Sequence, residues 1–502
     1  MLSVPFVTAF LYGIIQIHIT AFNNWRWIAP PAVSVPQGEE RMVAVIVPTC
    51  GETPDMVRQT LVSVLEQDWP NNALLIVVSD DAANHDMADM AFSTSQTYPT
   101  ATIRYHRPPV QGAADRRGDA KAGNLNSALD LLDKEYPEIL YIETRDADDE
   151  VGHPLFLRRT IASLQDDESA AFVQTIKEAR VSPGDPFNNQ EQLFYRGVMR
   201  ARHAANAVFP CGSGVVWRRR ALNDIGGFPS WNLVEDLQSG MEALRRGWRG
   251  VYVPIVGARA QHAPEDLGNV CKQRGTWALD TMRLLLWGSM RGMIIRQKLQ
   301  FFDMMMFYCQ GFPMLALGAM SATYLVQGIQ PVDAPTGSYM LHFTPYVIAI
   351  ELFMWAMAAE AGVQNIFIIR RMWHGLMFVY MKATIKALAY GPHRKPAYKV
   401  TRKSDVHQWY WNIIIPHVVI LVFLVAAVPY GIMAHGVRGI LRPDTIYWLL
   451  MTTVPLGAFV PLSWYGIKVR QTILSWLRLP PAPVAQPQPS SNDREITAQG
   501  EF

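Results

Sequence analysis

The sequence of 502 residues is short of the side chains that build soft-metal and redox centres. Its four cysteines, Cys50, Cys211, Cys271 and Cys309, lie far apart in the chain. That spacing excludes a zinc-type or Cys-x-x-Cys cluster and makes reduced thiols the default. A His-Glu-x-x-His pattern is also missing, which removes the zinc-peptidase class. The net charge is only +2, so the balance gives no case for polyanion binding, and nucleic acid is not an expected partner. Charge is also unevenly scarce. Residues 2–22 carry none and 299–470 hold long stretches nearly free of it, whereas 40–280 mix charged and apolar residues as a soluble domain does.

These absences divide the chain. Residues 2–22 have about the length that crosses a bilayer, and they read as an anchor because no basic segment precedes them and no small-x-small cleavage site follows. The N-terminal unit, 1–28, ends in Trp25, Arg26 and Trp27, an interfacial belt, and the linker 29–40 is stiffened by Pro30, Pro31 and Pro36. Further spans are expected at 301–328, 341–363, 411–435 and 445–467, about five in all, within a membrane region 299–470. Residues 278–298 and 366–390 mix apolar residues with Arg and Lys at helical spacing, the pattern of helices lying in the interface. Basic residues gather between Arg370 and Lys403, and 329–340 has none, which puts the 370–403 segment and the domain 41–277 on the cytosolic side. Glu351 falls in the middle of a span, where a carboxylate either lines a polar path or meets a packing partner. The tail 471–502, rich in Pro, Gln and Ser, reads as disordered.

Within 41–277 the pattern is β-α-β: strand 42–47, loop 48–54, helix 55–67, strand 74–79, strand 102–106, helix 120–133, then an apolar run into Asp146. Such alternation predicts a mostly parallel sheet with right-handed crossovers, whose ligands sit beyond the carboxyl ends of the strands. The pivotal stretch is Leu140-Tyr141-Ile142-Glu143-Thr144-Arg145-Asp146-Ala147-Asp148-Asp149-Glu150. Asp146 and Asp148 alternate along extended backbone and point the same way, which suits a hard divalent cation shared with phosphate oxygens; a solvated acidic turn has the same composition.

The loops expected at that edge are Pro48-Thr49-Cys50-Gly51-Glu52, Ser79-Asp80-Asp81, Gly118-Asp119-Ala120-Lys121-Ala122-Gly123-Asn124, Asp146-Ala147-Asp148, Val234-Glu235-Asp236 and Gln273-Arg274-Gly275-Thr276-Trp277. In this order and spacing, over about 41–404, the chain resembles the family-2 glycosyltransferases, and among them membrane-embedded processive enzymes such as cellulose synthase. The resemblance implies an α/β GT-A-type glycosyltransferase domain, with a mostly parallel sheet, inserted in an α-helical transmembrane region. It implies a UDP-sugar donor, Mg²⁺ or Mn²⁺ as cofactor on Asp146 and Asp148, and a growing polysaccharide as acceptor. Asp236 would be the base of one inverting displacement. Glu52, Asp80, Asp81, Lys121 and Asp146 would surround the donor. Cys211, Gly212, Ser213, Glu235 and Trp277 would meet the acceptor, with the indole stacked on a sugar face. Two departures stand out: Val234 replaces the family's Thr, and Thr276 replaces the Arg that faces the diphosphate, leaving Arg274 as the cation there.

Residues 396–404 add a further likeness. Tyr398-Lys399-Val400-Thr401-Arg402-Lys403-Ser404 resembles the gating loop of cellulose synthases, which implies that Tyr398, Thr401, Arg402 and Lys403 close over the donor. No cyclic-dinucleotide module is evident after the last span. The activity so implied is polymerisation of hexose from UDP-glucose into β-glucan with export through the membrane helices. The alternatives are a processive synthase using UDP-N-acetylglucosamine, of chitin or hyaluronan type, and a non-processive enzyme loading a lipid phosphate. The setting implied is the bacterial inner membrane, multi-pass, with a cytoplasmic catalytic domain, the lipid bilayer as surroundings and an accessory export subunit as a further partner.

Overall fold

The computed structural model describes residues 3–30, 32–181, 185–232, 235–329, 335–396, 410–437 and 442–463. It opens with helix α1 (Ser3–Asn24), uncharged along its length and largely exposed. The α/β domain follows: β1 (Val43–Thr49), α2 (Pro54–Leu65), β2 (Leu74–Asp80), α3 (His85–Thr97), β3 (Thr102–His106), α4 (Ala120–Glu135), β4 (Tyr141–Thr144), β5 (Asp149–Glu150), α5 (Phe156–Asp166) and β6 (Ala170–Ala179). After a π-helical turn at Leu193–Val198 come α6 (Met199–Ala204), β7 (Val215–Arg218), α7 (Arg219–Ile225), α8 (Glu235–Arg245) and β8 (Arg249–Ala260).

Among the described residues the strands form one eight-stranded sheet in the order β3-β2-β1-β4-β7-β6-β8-β5. β1 pairs parallel with β2 and β4, and β6 with β8, while β7 runs antiparallel between β4 and β6. The carboxyl ends of β1, β2, β4 and β6 and the amino end of β7 therefore share one edge. β1 and β2 are apolar up to Val47 and Val78 because helices cover both faces, the signature of a parallel sheet. β3 is the edge strand, and its residues are half-buried or exposed.

The second half of the chain is helical: α9 (Leu267–Trp287), α10 (Ile295–Cys309), α11 (Gly311–Gln327), α12 (Thr336–Glu360), α13 (Ile366–Gly375), α14 (Met377–Tyr390), α15 (Trp411–His435) and α16 (Pro443–Phe459). Among the described residues four segments are long and apolar enough to cross a membrane: Val4–Asn24, Met340–Glu360, Trp411–His435 and Thr445–Ser463. The helix expected over 301–328 is instead two, α10 and α11, meeting at Gln310. The reason is packing: a Cβ on Gly311 would lie 2.7 Å from Met381 Cγ and 2.8 Å from the Met377 carbonyl, so α14 passes directly against the break. The helix expected over 366–390 is likewise split at Leu376, where the Phe459 ring fills the space beside Gly375. The interfacial helix expected from 278 is the continuation of α9, which nothing interrupts before Gly288.

The two halves are joined by packing. α9 lies along α14, and their shared core includes Phe187, Val270, Ala278, Leu376, Tyr380 and Phe459. Tyr410 donates to the Asp266 carboxylate at 2.6 Å, and that carboxylate caps α9 by accepting from the Asn269 amide at 2.9 Å. Glu351 of α12 forms an ion pair with Arg370 of α13.

Candidate active site

The site is built on the shared edge of the sheet. β4 runs buried from Tyr141 to Thr144 and releases Asp146, whose side chain is about a quarter exposed. The turn is fixed from three directions: the Asp146 amide donates to Ser213 Oγ at 3.1 Å, Thr60 Oγ1 donates to the Ala147 carbonyl at 2.8 Å, and the Gln261 amide donates to the Asp148 carbonyl at 2.9 Å. Two ammonium groups take the Asp146 oxygens. Lys121 Nζ lies 2.5 Å from Oδ1, and Lys177 Nζ lies 2.5 Å from Oδ2. Lys121 also donates to the Gly212 carbonyl at 3.0 Å and lies 3.2 Å from Glu235, while Lys177 reaches buried Asp149 at 2.9 Å.

Lys121 is aimed by the loop before α4. Arg116 holds that loop, donating to the carbonyls of Pro109 at 2.6 Å and Ala120 at 2.9 Å, and Ala120 takes a left-handed φ of 45°. Opposite stands the segment before β7. Buried Gln174 accepts from the Cys211 amide at 2.7 Å and donates to the Ser213 carbonyl at 3.2 Å, so the Cys211-Gly212-Ser213 turn is clamped from beneath. At its apex Gly212 has φ 82°. A Cβ there would lie 3.2 Å from Asp236 Oδ2, 3.5 Å from Lys121 Nζ and 4.0 Å from Asp146 Oδ2. Asp236, at the start of α8, therefore faces the same small space as Lys121 and Asp146, and only glycine leaves that space open.

The charges set the protonation states. Burial pushes the Asp146 carboxyl up, but Lys121 and Lys177 outweigh it and hold the group well below the usual carboxylate range. Burial, reinforced by Glu235, pushes Asp236 up to about 7, with Lys121 opposing. Lys121 is held above its ordinary value, since Asp146 and Glu235 outweigh its burial. Burial pushes the Cys211 thiol up to about 12, so it stays protonated and is not a nucleophile.

The structure brings together Lys121, Asp146, Cys211, Gly212, Ser213, Glu235 and Asp236. Other residues singled out in the sequence are engaged elsewhere. Asp80 accepts from Thr49 Oγ1 at 2.9 Å, the Ala82 amide at 3.0 Å, the Asn84 amide at 2.7 Å and Tyr105 OH at 3.1 Å. Both oxygens of Asp81 are held by the Arg116 guanidinium, and Glu52 accepts from its neighbour, the Cys50 amide, at 2.6 Å. Arg274 forms an ion pair with Glu191, donates to the Asn188 carbonyl at 3.2 Å and lies 4.9 Å over the Trp277 ring. Thr276 turns back to the Lys272 carbonyl at 2.9 Å, and Trp277 keeps 38% of its surface exposed. Tyr398, Thr401, Arg402, Lys403 and Val234 lie outside the described residues. Sequence reasoning missed Lys177, Gln174, Arg116 and Asp149. Lys177 had a weak signal, because it follows the apolar residues 170–173 and Ile176 of a strand-like stretch as Asp146 follows its own.

The donor set suits a hard divalent cation. Asp146 is ionised, though a cation would have to share its oxygens with Lys121 and Lys177. Asp148 lies in a turn closed by the Asp149 amide donating to the Asp146 carbonyl at 3.0 Å, and not on the extended backbone expected of it, so the alternation expected from the sequence does not hold; its carboxylate is nonetheless two residues from Asp146, and Gly212 keeps space beside Asp146. Among the described residues no three His, Cys, Asp or Glu side chains converge as a metal cage, so Asp146 and Asp148 would leave the rest of a cation's shell to phosphate and water.

A family model described as glycosyltransferase like family 2 matches residues 40–279. The chain is 28% identical over 323 residues to a UDP-forming cellulose synthase catalytic subunit of Pseudomonas fluorescens (strain SBW25), covering 62% of this chain and 41% of that protein. It is 27% identical over 369 residues to cellulose synthase 2 of Novacetimonas hansenii, covering 69% of this chain and 21% of that protein. The chain thus spans less than half the length of these relatives. Among solved structures, a mannosyltransferase of Pyrobaculum calidifontis, in complex with GDP-Man and Mn²⁺, shares the fold with a TM-score of 0.52 at 18% identity, covering 77% of this chain and 99% of that one. A GT-A-type sheet whose edge gathers Lys121, Asp146 and Asp236, in a chain with long apolar helices, thus keeps company with these relatives: residues 40–279 match the family-2 glycosyltransferase model, and the chain is similar to bacterial cellulose synthase catalytic subunits.

Proposed function

We propose that this protein transfers hexose from a UDP-sugar, UDP-glucose, to the end of a growing β-glucan by an inverting displacement, repeatedly, and passes the polymer out through its own membrane helices. The observation that carries this reading is the convergence of Asp236, Lys121 and Asp146 on the space beside Gly212. An acceptor hydroxyl in that space lies within reach of Asp236, which takes its proton as the hydroxyl attacks the anomeric carbon. A carboxyl raised to about 7 is well matched to that role near neutral pH. Lys121 offers its charge to the departing diphosphate. Asp146 and Asp148 would hold Mg²⁺ or Mn²⁺, which when bound neutralises charge developing on the leaving group. Trp277, half-exposed and backed by Arg274, offers a ring face to the acceptor sugar. The domain is cytoplasmic and the membrane the bacterial inner membrane, supported by the basic residues between Arg370 and Lys403. Tyr398, Thr401, Arg402 and Lys403, in the segment that resembles a gating loop, would close over the donor, and an accessory export subunit would receive the chain.

The test is purified protein in nanodiscs, given radiolabelled UDP-sugars with Mg²⁺, with Mn²⁺ and with chelator. Long polymer from UDP-glucose, dependent on the cation and digestible by β-glucanase, is the expected product. Polymer from UDP-N-acetylglucosamine alone would contradict the donor assignment, and a short lipid-soluble product would contradict processivity.

A further inference from the structure

Resting on that reading of the donor site, we infer that Lys177 is a second donor-binding cation, flanking Asp146 opposite Lys121 and reaching the diphosphate of the bound nucleotide. The carboxylates gathered here, Asp146, Asp149, Glu235 and Asp236, carry more negative charge than Lys121 alone can balance, and a diphosphate adds more still. Beyond Lys121 and the cation that Asp146 and Asp148 would hold, further positive charge at the departing phosphate calls for another side chain. Thr276 carries none and is bonded to its own helix, and Arg274 is engaged by Glu191, the Asn188 carbonyl and the Trp277 ring. Lys177 is the cation in position.

Its placement supports a working role beyond neutralising a buried acid. Lys177 lies two residues before the end of β6, toward the edge where the site lies, and its side chain remains a quarter exposed. Asp149 holds it from behind at 2.9 Å with only 1% of its own side chain exposed, so the ammonium has a fixed anchor and an open front. Its front contact is Asp146 Oδ2, the oxygen that lies 4.0 Å from the open space at Gly212. A lysine on a flexible four-carbon stem, with three rotatable donors, can add or exchange a phosphate oxygen while keeping Asp149. Lys121 approaches Asp146 through the other oxygen, so the two ammoniums bracket the same carboxylate.

The experiment measures nucleotide binding by calorimetry to full-length protein in nanodiscs, comparing UDP with UMP. Lys177→Met alone strands buried Asp149, so the decisive variant is the double Lys177→Met/Asp149→Asn, which removes both charges of the pair together. The proposal predicts a roughly tenfold loss of UDP affinity in the double variant, the scale of one charge-assisted hydrogen bond, with UMP affinity unchanged and Lys177→Arg near wild type. A merely structural pair predicts no change in either ligand, or an equal fall in both, and either result overturns the proposal. Wild-type protein that binds UDP no better than UMP would overturn the donor-site reading itself, and this assignment with it.

Discussion

Arg116 grips Asp81 through both ends of its guanidinium, at 2.7 and 2.9 Å, with both side chains buried. The same guanidinium reaches the carbonyls of Pro109 and Ala120, so one ion pair fixes the loop that aims Lys121. Arg116→Met leaves a buried carboxylate without its partner and is expected to cost about 3 kcal/mol of stability. Its KM for donor should rise more than kcat falls, because the loop loses its pose while Asp236 keeps its own. Arg116→Met/Asp81→Asn should recover most of the stability but not the KM. Melting curves and steady-state kinetics on the three proteins check this, and a double variant no more stable than the single would count against it.

Gly212 faces Asp236, Lys121 and Asp146 across the site. Gly212→Ala meets a left-handed φ, at a cost of about 1 kcal/mol, and sets a methyl 3.2 Å from Asp236 Oδ2. Transfer should fall by about a hundredfold, the usual consequence of displacing reacting groups by an ångström. The melting temperature should change little. A turnover assay beside a melting curve separates the two effects.

How much of this was legible beforehand depends on what kind of signal each residue leaves. The first two strands and α4 lie within a few residues of where apolar runs and turn residues put them, because buried parallel strands leave long unbroken patterns. The break at Gln310 leaves no such trace: Gly311 reads as an ordinary small residue of an apolar span until Met381 is found against it. Asp146 and Asp236 could be picked out by their neighbours in sequence. Arg116 and Gln174 could not, since each works through loops brought close only by folding. For Asp80, Asp81 and Arg274 the sequence shows a charge at the right edge, but which partner holds it is a matter of side-chain geometry.

Asp236 ties activity to pH. Its carboxyl must be ionised to accept the acceptor's proton, so kcat/KM should rise with pH and level off above about 7. Stability should move the other way. The folded-state value lies above the ordinary 3.8, so between 3.8 and about 7 the folded chain keeps a proton that the unfolded chain has lost, and the stability contributed by this group declines as pH rises through that window. Asp236→Asn should therefore melt higher than wild type at pH 8, and a lower melting temperature there would contradict the sign.

Glu351 and Arg370 join α12 to α13. If the pair acts by packing, Glu351→Gln and Arg370→Gln should each lower the melting temperature, the double variant should be no worse than the poorer single, and polymer length per folded protein should not change. Shortened polymer from Glu351→Gln alone would assign the carboxylate to the path of the chain instead.

The central claim is that Asp236 is the base of a sugar transfer whose donor is held by its neighbours. The most direct measurement is Asp236→Asn in nanodiscs, with UDP-glucose binding and radiolabelled glucan synthesis followed on the same preparation. Donor affinity within a few-fold of wild type, with synthesis reduced by at least about a hundredfold, is the predicted result. Glucan synthesis at near wild-type rate would contradict it.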